Sequence, residues 1–65
     1  MIVSVIGMGY IGLPTAAVLA SRRVKVIGID VNQHVVDTIN QGKIHIIEPE
    51  LDILVRSAVQ TGHLR

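Results

Sequence analysis

The chain has 65 residues and a mass of 7.0 kDa. It has six Lys and Arg against five Asp and Glu, a near-neutral charge that lacks the excess of basic residues typical of proteins that bind nucleic acids or anionic membranes. It contains no Cys, which excludes disulfides, Cys-ligated zinc, iron–sulfur clusters and thiol nucleophiles from these residues. Hydrophobic residues make up 49% of the sequence, but a unit of this length buries only about 60% of its unfolded surface, so we expect it to be part of something larger.

The first predicted element is a strand over Ile2–Ile6, a short β-branched run that is followed directly by glycine and is typical of a buried parallel strand. No charged residue occurs from Met1 to Ser21, so length alone also allows a transmembrane helix. Glycines and Pro14 interrupt this run, which argues against a membrane span. No basic segment precedes the run, so a signal peptide is not predicted and a cytoplasmic location is the default expectation.

A glycine-rich turn over Gly7–Gly12 leads into a helix predicted over Leu13–Ser21. Pro14 lies in the first turn of this helix, where its missing N–H costs nothing. The helix has a small-residue face that can approach a sheet closely, formed by Ala16, Ala17 and Ala20. Arg22 and Arg23 follow at its C-terminal end, where cations complement the helix dipole.

A second β-branched strand is predicted over Val24–Asp30. Asn32 has a side chain suited to cap the helix that follows it, and Gly42 ends that helix. The apolar residues of this second helix are Val35, Val36 and Ile39.

The last part of the chain is predicted to be extended over Ile44–Ile47 and helical from about Glu50 to Thr61. Pro49 separates the two segments because a residue before proline avoids helical geometry. The third helix has one apolar stripe, at Leu51, Leu54, Val55, Ala58 and Val59. Gly62 ends it, and Leu64 begins a further segment. Strands that alternate with helices in this way predict an α/β fold with a parallel sheet.

The turn between the first strand and the first helix has the pattern Gly-x-Gly-x-x-Gly, at Gly7, Gly9 and Gly12. The first glycine permits the tight turn, the second lets the backbone approach a pyrophosphate, and the third lets the helix pack against the strand. Free N–H groups at the helix start would hold the phosphate oxygens without a basic side chain. The pattern predicts the first half of a Rossmann-like doubly wound parallel sheet (βαβαα), without the rest of that sheet.

Asp30 ends the second predicted strand, 18 residues after Gly12, close to the spacing of about 20 that a ribose-binding acid has. Its carboxylate would accept hydrogen bonds from a ribose diol and would repel a 2′-phosphate. No Lys or Arg occurs over residues 31–40, so NAD is favoured over NADP. The alternative is a glycine turn that only packs the fold, with Asp30 an ordinary strand-end residue. The strand, glycine turn, helix and acid occur in the order and spacing of the dinucleotide-binding motif, which favours dinucleotide binding.

The other candidate residues favour structural roles. The chain has three histidines, His34, His45 and His63. They are too widely spaced for a helical metal-binding pair, so no metal site is predicted. Three acids surround the start of the third helix, Glu48, Glu50 and Asp52. Acids there usually complement the helix dipole, although Glu48-Pro49 stays a candidate for one wall of a site. No catalytic residue is predicted within the chain.

The sequence around the glycines resembles the opening of the UDP-glucose/GDP-mannose dehydrogenase family, the nucleotide-sugar dehydrogenases. Its most specific run is Gly-Tyr-Ile-Gly-Leu-Pro over residues 9–14. Related hydroxyacyl-CoA and hydroxyacid dehydrogenases usually carry Met where this chain has Ile11. The resemblance continues through Val26–Asn32, Ile39–Gly42, Glu48-Pro49 and Leu51, covers nearly the whole chain, and has a branch-specific part in the loop Lys43–Pro49. The last of these runs is similar to the mannosamine branch of the family.

The resemblance implies an activity that this chain does not contain by itself. The family oxidises the C6 alcohol of a nucleotide sugar to a carboxylate in two NAD-dependent steps, with a catalytic Cys and Lys in later parts of its chain. It implies NAD as the cofactor, with Tyr10 and Ile11 beside the three glycines and Asp30 at the cofactor site. It also implies a nucleotide-sugar substrate and a homo-oligomer for the full-length protein. Residues 1–65 are expected to be the N-terminal portion of an NAD-binding Rossmann domain, inactive alone, with the third strand onward and the catalytic domains missing.

Two other interpretations remain open. The first is a short, non-catalytic nucleotide-binding or interaction module, or a gene remnant, that pairs its open sheet edge with a partner. The second is the Rossmann half of another NAD-dependent oxidoreductase, such as a hydroxyacid dehydrogenase. Ile11 and Pro14 argue against the second interpretation.

Overall fold

The computed structural model describes every residue from Met1 to Arg65. Its elements in chain order are β1 (Ile2–Ile6), α1 (Gly12–Ser21), β2 (Lys25–Ile29), α2 (Gln33–Asn40) and α3 (Leu51–Gln60). Their order and type confirm the predicted βαβαα arrangement. None of the helices has the combination of length and apolar character that crossing a bilayer requires.

The two strands are parallel neighbours, from Ile2 opposite Lys25 to Ile6 opposite Ile29. A parallel pair needs a crossover connection, and α1 supplies it between the end of β1 and the start of β2. The carboxyl ends of both strands therefore lie at the same edge of the sheet, which is the edge where the glycine turn leaves β1.

The last residues of the chain extend the sheet on the side of β2 that faces away from β1. Leu64 forms a parallel bridge with Val26. The N–H of Val26 donates to the His63 carbonyl (2.6 Å), and the N–H of Gly28 donates to the Arg65 carbonyl (2.7 Å). Leu64 thus begins a further segment, as predicted. The spatial order of third, second and first segment is that of one half of a dinucleotide-binding sheet.

The helices cover one face of this sheet. Val26 of β2 points towards them and is only 1% exposed, and Val5 of β1 packs against the same core. Helix α1 contributes four buried residues, Leu13, Ala16, Ala17 and Ala20. These residues confirm the predicted small-residue face, which lets α1 lie close to the strands. The opposite face of the sheet carries four isoleucines that are between 36% and 82% exposed, together with the exposed Ser4 and Lys25. The isoleucines are Ile2, Ile6, Ile27 and Ile29.

Most helix ends follow the local sequence signals. The Asn32 side chain accepts hydrogen bonds from the N–H groups of His34 (3.0 Å) and Val35 (3.4 Å), which is the predicted N-cap of α2. Gly42 and Gly62 follow α2 and α3 with φ of 75° and 80°, and this left-handed geometry ends each helix at low cost.

Two other residues take the left-handed conformation without being glycine, Arg23 and Glu50, each with φ of 65°. Arg22 caps the C-terminus of α1 and Arg23 follows it, so both lie just beyond the last turn of the helix. Glu50 occupies the N-cap position of α3 and makes no capping hydrogen bond with its side chain.

The segment between α2 and α3 is an irregular loop, where the sequence predicts an extended run over Ile44–Ile47. Ile46 anchors this loop in the core with 7% exposure, while Ile47 is 94% exposed. The apolar stripe of α3 is also narrower than predicted. Its buried residues are Leu51, Val55 and Ala58, whereas Leu54 is 36% exposed.

Candidate cofactor-binding site

The glycine turn begins where β1 ends. Gly7 has φ of 87°, a left-handed conformation that side chains rarely adopt, and this confirms that the first position of the motif requires glycine for the turn. Its N–H donates to the Ile29 carbonyl of β2 (2.7 Å). This hydrogen bond closes the strand pair at the edge of the sheet and fixes the point at which the chain turns towards α1.

The other two motif glycines have opposite surroundings. A Cβ at Gly12 would overlap the carbonyl oxygen of Gly7 and lie 3.6 Å from a methyl group of Val5. The start of α1 is therefore in close contact with the glycine turn and with β1. A Cβ at Gly9 would meet no atom within 4 Å. The backbone of Gly9 therefore borders open space, and this is where the motif predicts that a pyrophosphate approaches.

The start of α1 presents a row of hydrogen-bond donors. The N–H groups of Gly9, Tyr10, Ile11 and Gly12 have no acceptor within the chain. The N-cap residue Ile11 has no side chain that could accept from them. Unpaired N–H groups at a helix N-terminus, with the helix dipole behind them, form an anion-binding site. The side chains of Tyr10 and Ile11 flank it and are 68% and 84% exposed.

Asp30 follows β2 and is tied to the glycine turn by its carboxylate. Oδ2 accepts a hydrogen bond from the Met8 N–H (2.9 Å), and Oδ1 accepts one from the Asn32 N–H (2.9 Å). These two bonds, that of Met8 first, lower the pKa of Asp30 from its ordinary value of 3.8. The half-buried carboxylate is therefore ionised at neutral pH. Each oxygen has one partner in the chain and can still accept from a ligand hydroxyl.

Several residues of this edge were missed by the sequence analysis. Ile6, Ile29 and Val31 line a shallow pocket together with Gly7 and Asp30, and Val31 is fully exposed. Apolar strand ends beside a candidate acid are a signal for such a pocket. Met8 and Asn32 were also missed as partners of Asp30. The Asn32 contact is an Asx turn, for which an Asp at the end of a strand is a signal, whereas the Met8 contact spans 22 positions and leaves no trace in the sequence pattern.

The remaining candidate residues lie outside the glycine turn. The loop between α2 and α3 and the start of α3 line a separate open pocket, which includes Glu48, Pro49, Glu50 and Asp52. No group of three or more His, Cys, Asp or Glu side chains is placed to hold a metal ion. Nδ1 of His45 is buried without a hydrogen-bond partner, and Nδ1 of His63 lies 3.0 Å from Oγ1 of Thr61. Asp52 lies in the first turn of α3, where its charge complements the dipole.

A parallel half-sheet in this strand order, a glycine turn that leads into a helix with free N–H groups, and an ionised acid at the end of the next strand together define a dinucleotide-binding unit of the Rossmann type. The comparisons with known proteins are more specific. Over residues 1–65 the sequence matches the UDP-glucose/GDP-mannose dehydrogenase family, NAD binding domain, and the chain belongs to this family. NAD is accordingly its cofactor.

Individual relatives agree with this assignment. The chain is 71% identical over 63 residues to the NDP-N-acetyl-D-galactosaminuronic acid dehydrogenase of Ralstonia nicotianae, covering 97% of this chain and 15% of the relative. It is 67% identical to the UDP-N-acetyl-D-mannosamine dehydrogenase of Campylobacter jejuni, covering 97% and 16%. The solved UDP-D-ManNAc dehydrogenase of Pyrococcus horikoshii has a TM-score of 0.96 at 45% identity, covering 100% of this chain and 16% of that one. The chain thus spans about 15% of the length of the curated relatives that it matches.

Proposed function

We propose that residues 1–65 form the first half of the NAD-binding domain of a nucleotide-sugar dehydrogenase. The observation that carries this proposal is the position of the Asp30 carboxylate, which is held by the Met8 N–H beside the free N–H groups of the glycine turn. A ligand that reaches both needs an anionic acceptor for the N–H groups and a hydroxyl donor for the carboxylate, a short distance apart. A dinucleotide has that chemistry.

In this proposal the pyrophosphate of NAD lies against the N–H groups of Gly9, Tyr10, Ile11 and Gly12. Phosphate oxygens would accept hydrogen bonds that the folded chain leaves unmade, and the dipole of α1 favours their negative charge. The open space at Gly9 allows the phosphate to approach the backbone without meeting a side chain. No basic side chain is required, in agreement with the near-neutral sequence.

The adenosine end of NAD is assigned to the carboxyl end of β2. Asp30 would accept hydrogen bonds from the ribose diol, and its ionised state excludes a 2′-phosphate, since no Lys or Arg over residues 31–40 offsets the repulsion. Ile29 and Val31 give the adenine an apolar surface next to the ribose. Bound NAD accepts hydride at its nicotinamide ring; these residues bind and orient it.

For the full-length protein we propose the oxidation of the C6 alcohol of a nucleotide sugar to a carboxylate. The change removes four electrons, which two NAD molecules accept as two hydrides, and one water molecule supplies the second oxygen of the carboxylate while protons are released. The names of the Campylobacter and Ralstonia relatives favour a sugar that carries an N-acetyl group, and UDP-N-acetyl-D-mannosamine is the first substrate to test.

The proposal is tested by titrating NAD and NADP into the full-length protein in a calorimeter. NAD should bind, NADP should bind much more weakly, and Asp30→Ala should weaken NAD binding by about ten- to a hundredfold, the worth of hydrogen bonds to a charged group. Asp37→Ala is the matched control, because Asp37 is exposed on α2 and its carboxylate accepts a hydrogen bond from the Gln33 side chain and from no residue of the glycine turn. Equal NAD affinity in the Asp30 and Asp37 variants would remove Asp30 from the site.

Activity is measured separately as NADH absorbance with UDP-N-acetyl-D-mannosamine, with UDP-N-acetyl-D-galactosamine and UDP-glucose as alternative substrates. Two NADH per sugar oxidised is the expected stoichiometry. NAD binding without oxidation of any of these sugars would retain the cofactor site and reject the proposed substrate class.

A further inference from the structure

Met8 is the one buried residue of a turn that is otherwise exposed. Its exposed fraction is 2%, whereas Gly7, Gly9 and Tyr10 on either side are exposed to solvent. The Met8 side chain points down into the core and lies over the backbone of Gly28 in β2. A Cβ at Gly28 would be 2.6 Å from the Met8 methyl carbon and 2.9 Å from its sulfur. The thioether therefore occupies the space that a side chain at position 28 would need.

The main chain of Met8 makes the second contact with the same strand end. Its N–H donates to Oδ2 of Asp30, two residues after Gly28. Met8 thus holds β2 at two points, with its side chain on Gly28 and its N–H on the carboxylate. Met8 is the variable residue between the first two glycines of the motif. In this structure it connects the glycine turn to Asp30.

We propose that Met8 is a positioning residue that fixes the phosphate-binding turn relative to the ribose-binding carboxylate, and that Gly28 is required because it leaves room for the Met8 side chain. This inference rests on the proposed function, since the two groups are positioned for one dinucleotide. The buried Met8 thioether fixes the distance between the glycine turn and β2. The Met8 N–H then meets Oδ2 without any adjustment when the ligand binds, so less of the binding free energy is spent on ordering the turn.

Gly28→Ala is the sharpest test, because the Cβ it adds meets only the far end of a flexible side chain and the strand backbone at position 28 has no left-handed geometry. The fold is therefore expected to tolerate the substitution while Met8 moves aside. In the full-length protein, NAD affinity should fall about tenfold, the cost of misplacing one hydrogen bond to a charged group, and affinity for the nucleotide sugar should not change.

A double-mutant cycle separates positioning from simple packing. Met8→Ala alone should weaken NAD binding several-fold, and Met8→Ala combined with Gly28→Ala should bind no worse than Met8→Ala, because the clash is gone. Val55→Ala is the control for lost core packing, since Val55 is fully buried in the same hydrophobic core as Met8 but belongs to α3 and not to the glycine turn or β2. Two results would overturn the proposal. One is a loss of NAD affinity in the double variant equal to the product of the two single losses, and the other is a loss in Val55→Ala as large as that in Gly28→Ala.

A second readout does not depend on the cofactor. Hydrogen exchange of the Met8 amide, measured by mass spectrometry on peptides that cover the turn, should accelerate in Gly28→Ala and not in Val55→Ala. If the wild-type protein fails to bind NAD, the proposed function is rejected, while this exchange measurement still decides whether Met8 is held through Gly28. Unchanged exchange at Met8 in Gly28→Ala rejects the positioning role even if NAD binds.

Discussion

The same substitution at two glycines of one turn should have opposite consequences. In Gly12→Ala the added Cβ would lie 1.6 Å from the carbonyl oxygen and 2.8 Å from the carbonyl carbon of Gly7. Both are backbone atoms at the junction of β1 and the turn, so no side chain can rotate away to relieve the contact. In Gly9→Ala the added Cβ would meet nothing within 4 Å. Only a bound ligand would encounter it.

The sizes of the two effects follow from these surroundings. Overpacking usually costs 1–3 kcal/mol, and a contact with fixed backbone belongs at the upper end, so Gly12→Ala should lower the free energy of unfolding by about 3 kcal/mol. In a domain of 150–250 residues this corresponds to a fall in Tm of about 6–12 °C. Gly9→Ala should stay within about 0.5 kcal/mol of wild type, as exposed substitutions do. Its NAD affinity should fall about ten- to a hundredfold, because phosphate contacts to the turn are lost.

Both variants are compared in the full-length protein by thermal unfolding followed by circular dichroism and by calorimetric titration with NAD. Gly12→Ala should be less stable, and Gly9→Ala should be as stable as wild type but deficient in NAD binding. If Gly9→Ala binds NAD normally, the cofactor does not approach the backbone at Gly9. If Gly12→Ala is as stable as wild type, the close contact between α1 and the turn is not as the structure describes it.

Three further predictions concern charge, capping and backbone strain. The lowered pKa of Asp30 means that its carboxylate stabilises the folded state fully at pH values well above its ordinary pKa of 3.8. This contribution is lost as the pH falls below 3.8 and through the lower folded-state pKa. The stability difference between wild type and Asp30→Asn, measured by urea denaturation, should therefore be constant near neutral pH and shrink below pH 3.8, and a difference that stays constant there would contradict the ionic role. Asn32→Ala removes the N-cap of α2 and should cost about 1 kcal/mol in the same assay, whereas Asn40→Ala at the other end of the helix should cost much less. Glu50→Gly replaces a left-handed residue with one that adopts this conformation freely and should raise the free energy of unfolding by about 0.5 kcal/mol, while Glu48→Gly, where φ is not positive, should give no gain.

Local signals predicted most of the fold. The bounds of β1 agree with the β-branched run Ile2–Ile6, because the glycine after it ends the strand. Asn32 and Gly42 delimit α2 as predicted, since a capping side chain and a left-handed glycine act within a few residues of their own position. β2 is one residue shorter at each end than predicted. The left-handed Arg23 delays the start of the strand, and at the other end Asp30 uses its side chain to accept hydrogen bonds from the turn and from Asn32.

Features that depend on distant contacts were not predicted. The irregular loop at Ile44–Ile47 is set by where Ile46 enters the core and not by the β-propensity of its residues. Leu54 fits the helical period of the buried stripe, yet the core ends before it reaches that side of α3. The hydrogen bond between Met8 and Asp30 joins residues 22 positions apart, and only the register of the two parallel strands brings them together. The cofactor roles of the glycines and of Asp30 stay predictions until NAD binding is measured.

The bare side of the sheet has a consequence for dividing the polypeptide. Ile2, Ile6, Ile27 and Ile29 form an apolar surface without a covering layer, and parallel sheets are normally covered on both sides. A cut after this segment therefore leaves two surfaces open, this face of the sheet and the unpaired edge of β1. Any layer that completes the fold has to cover both of them.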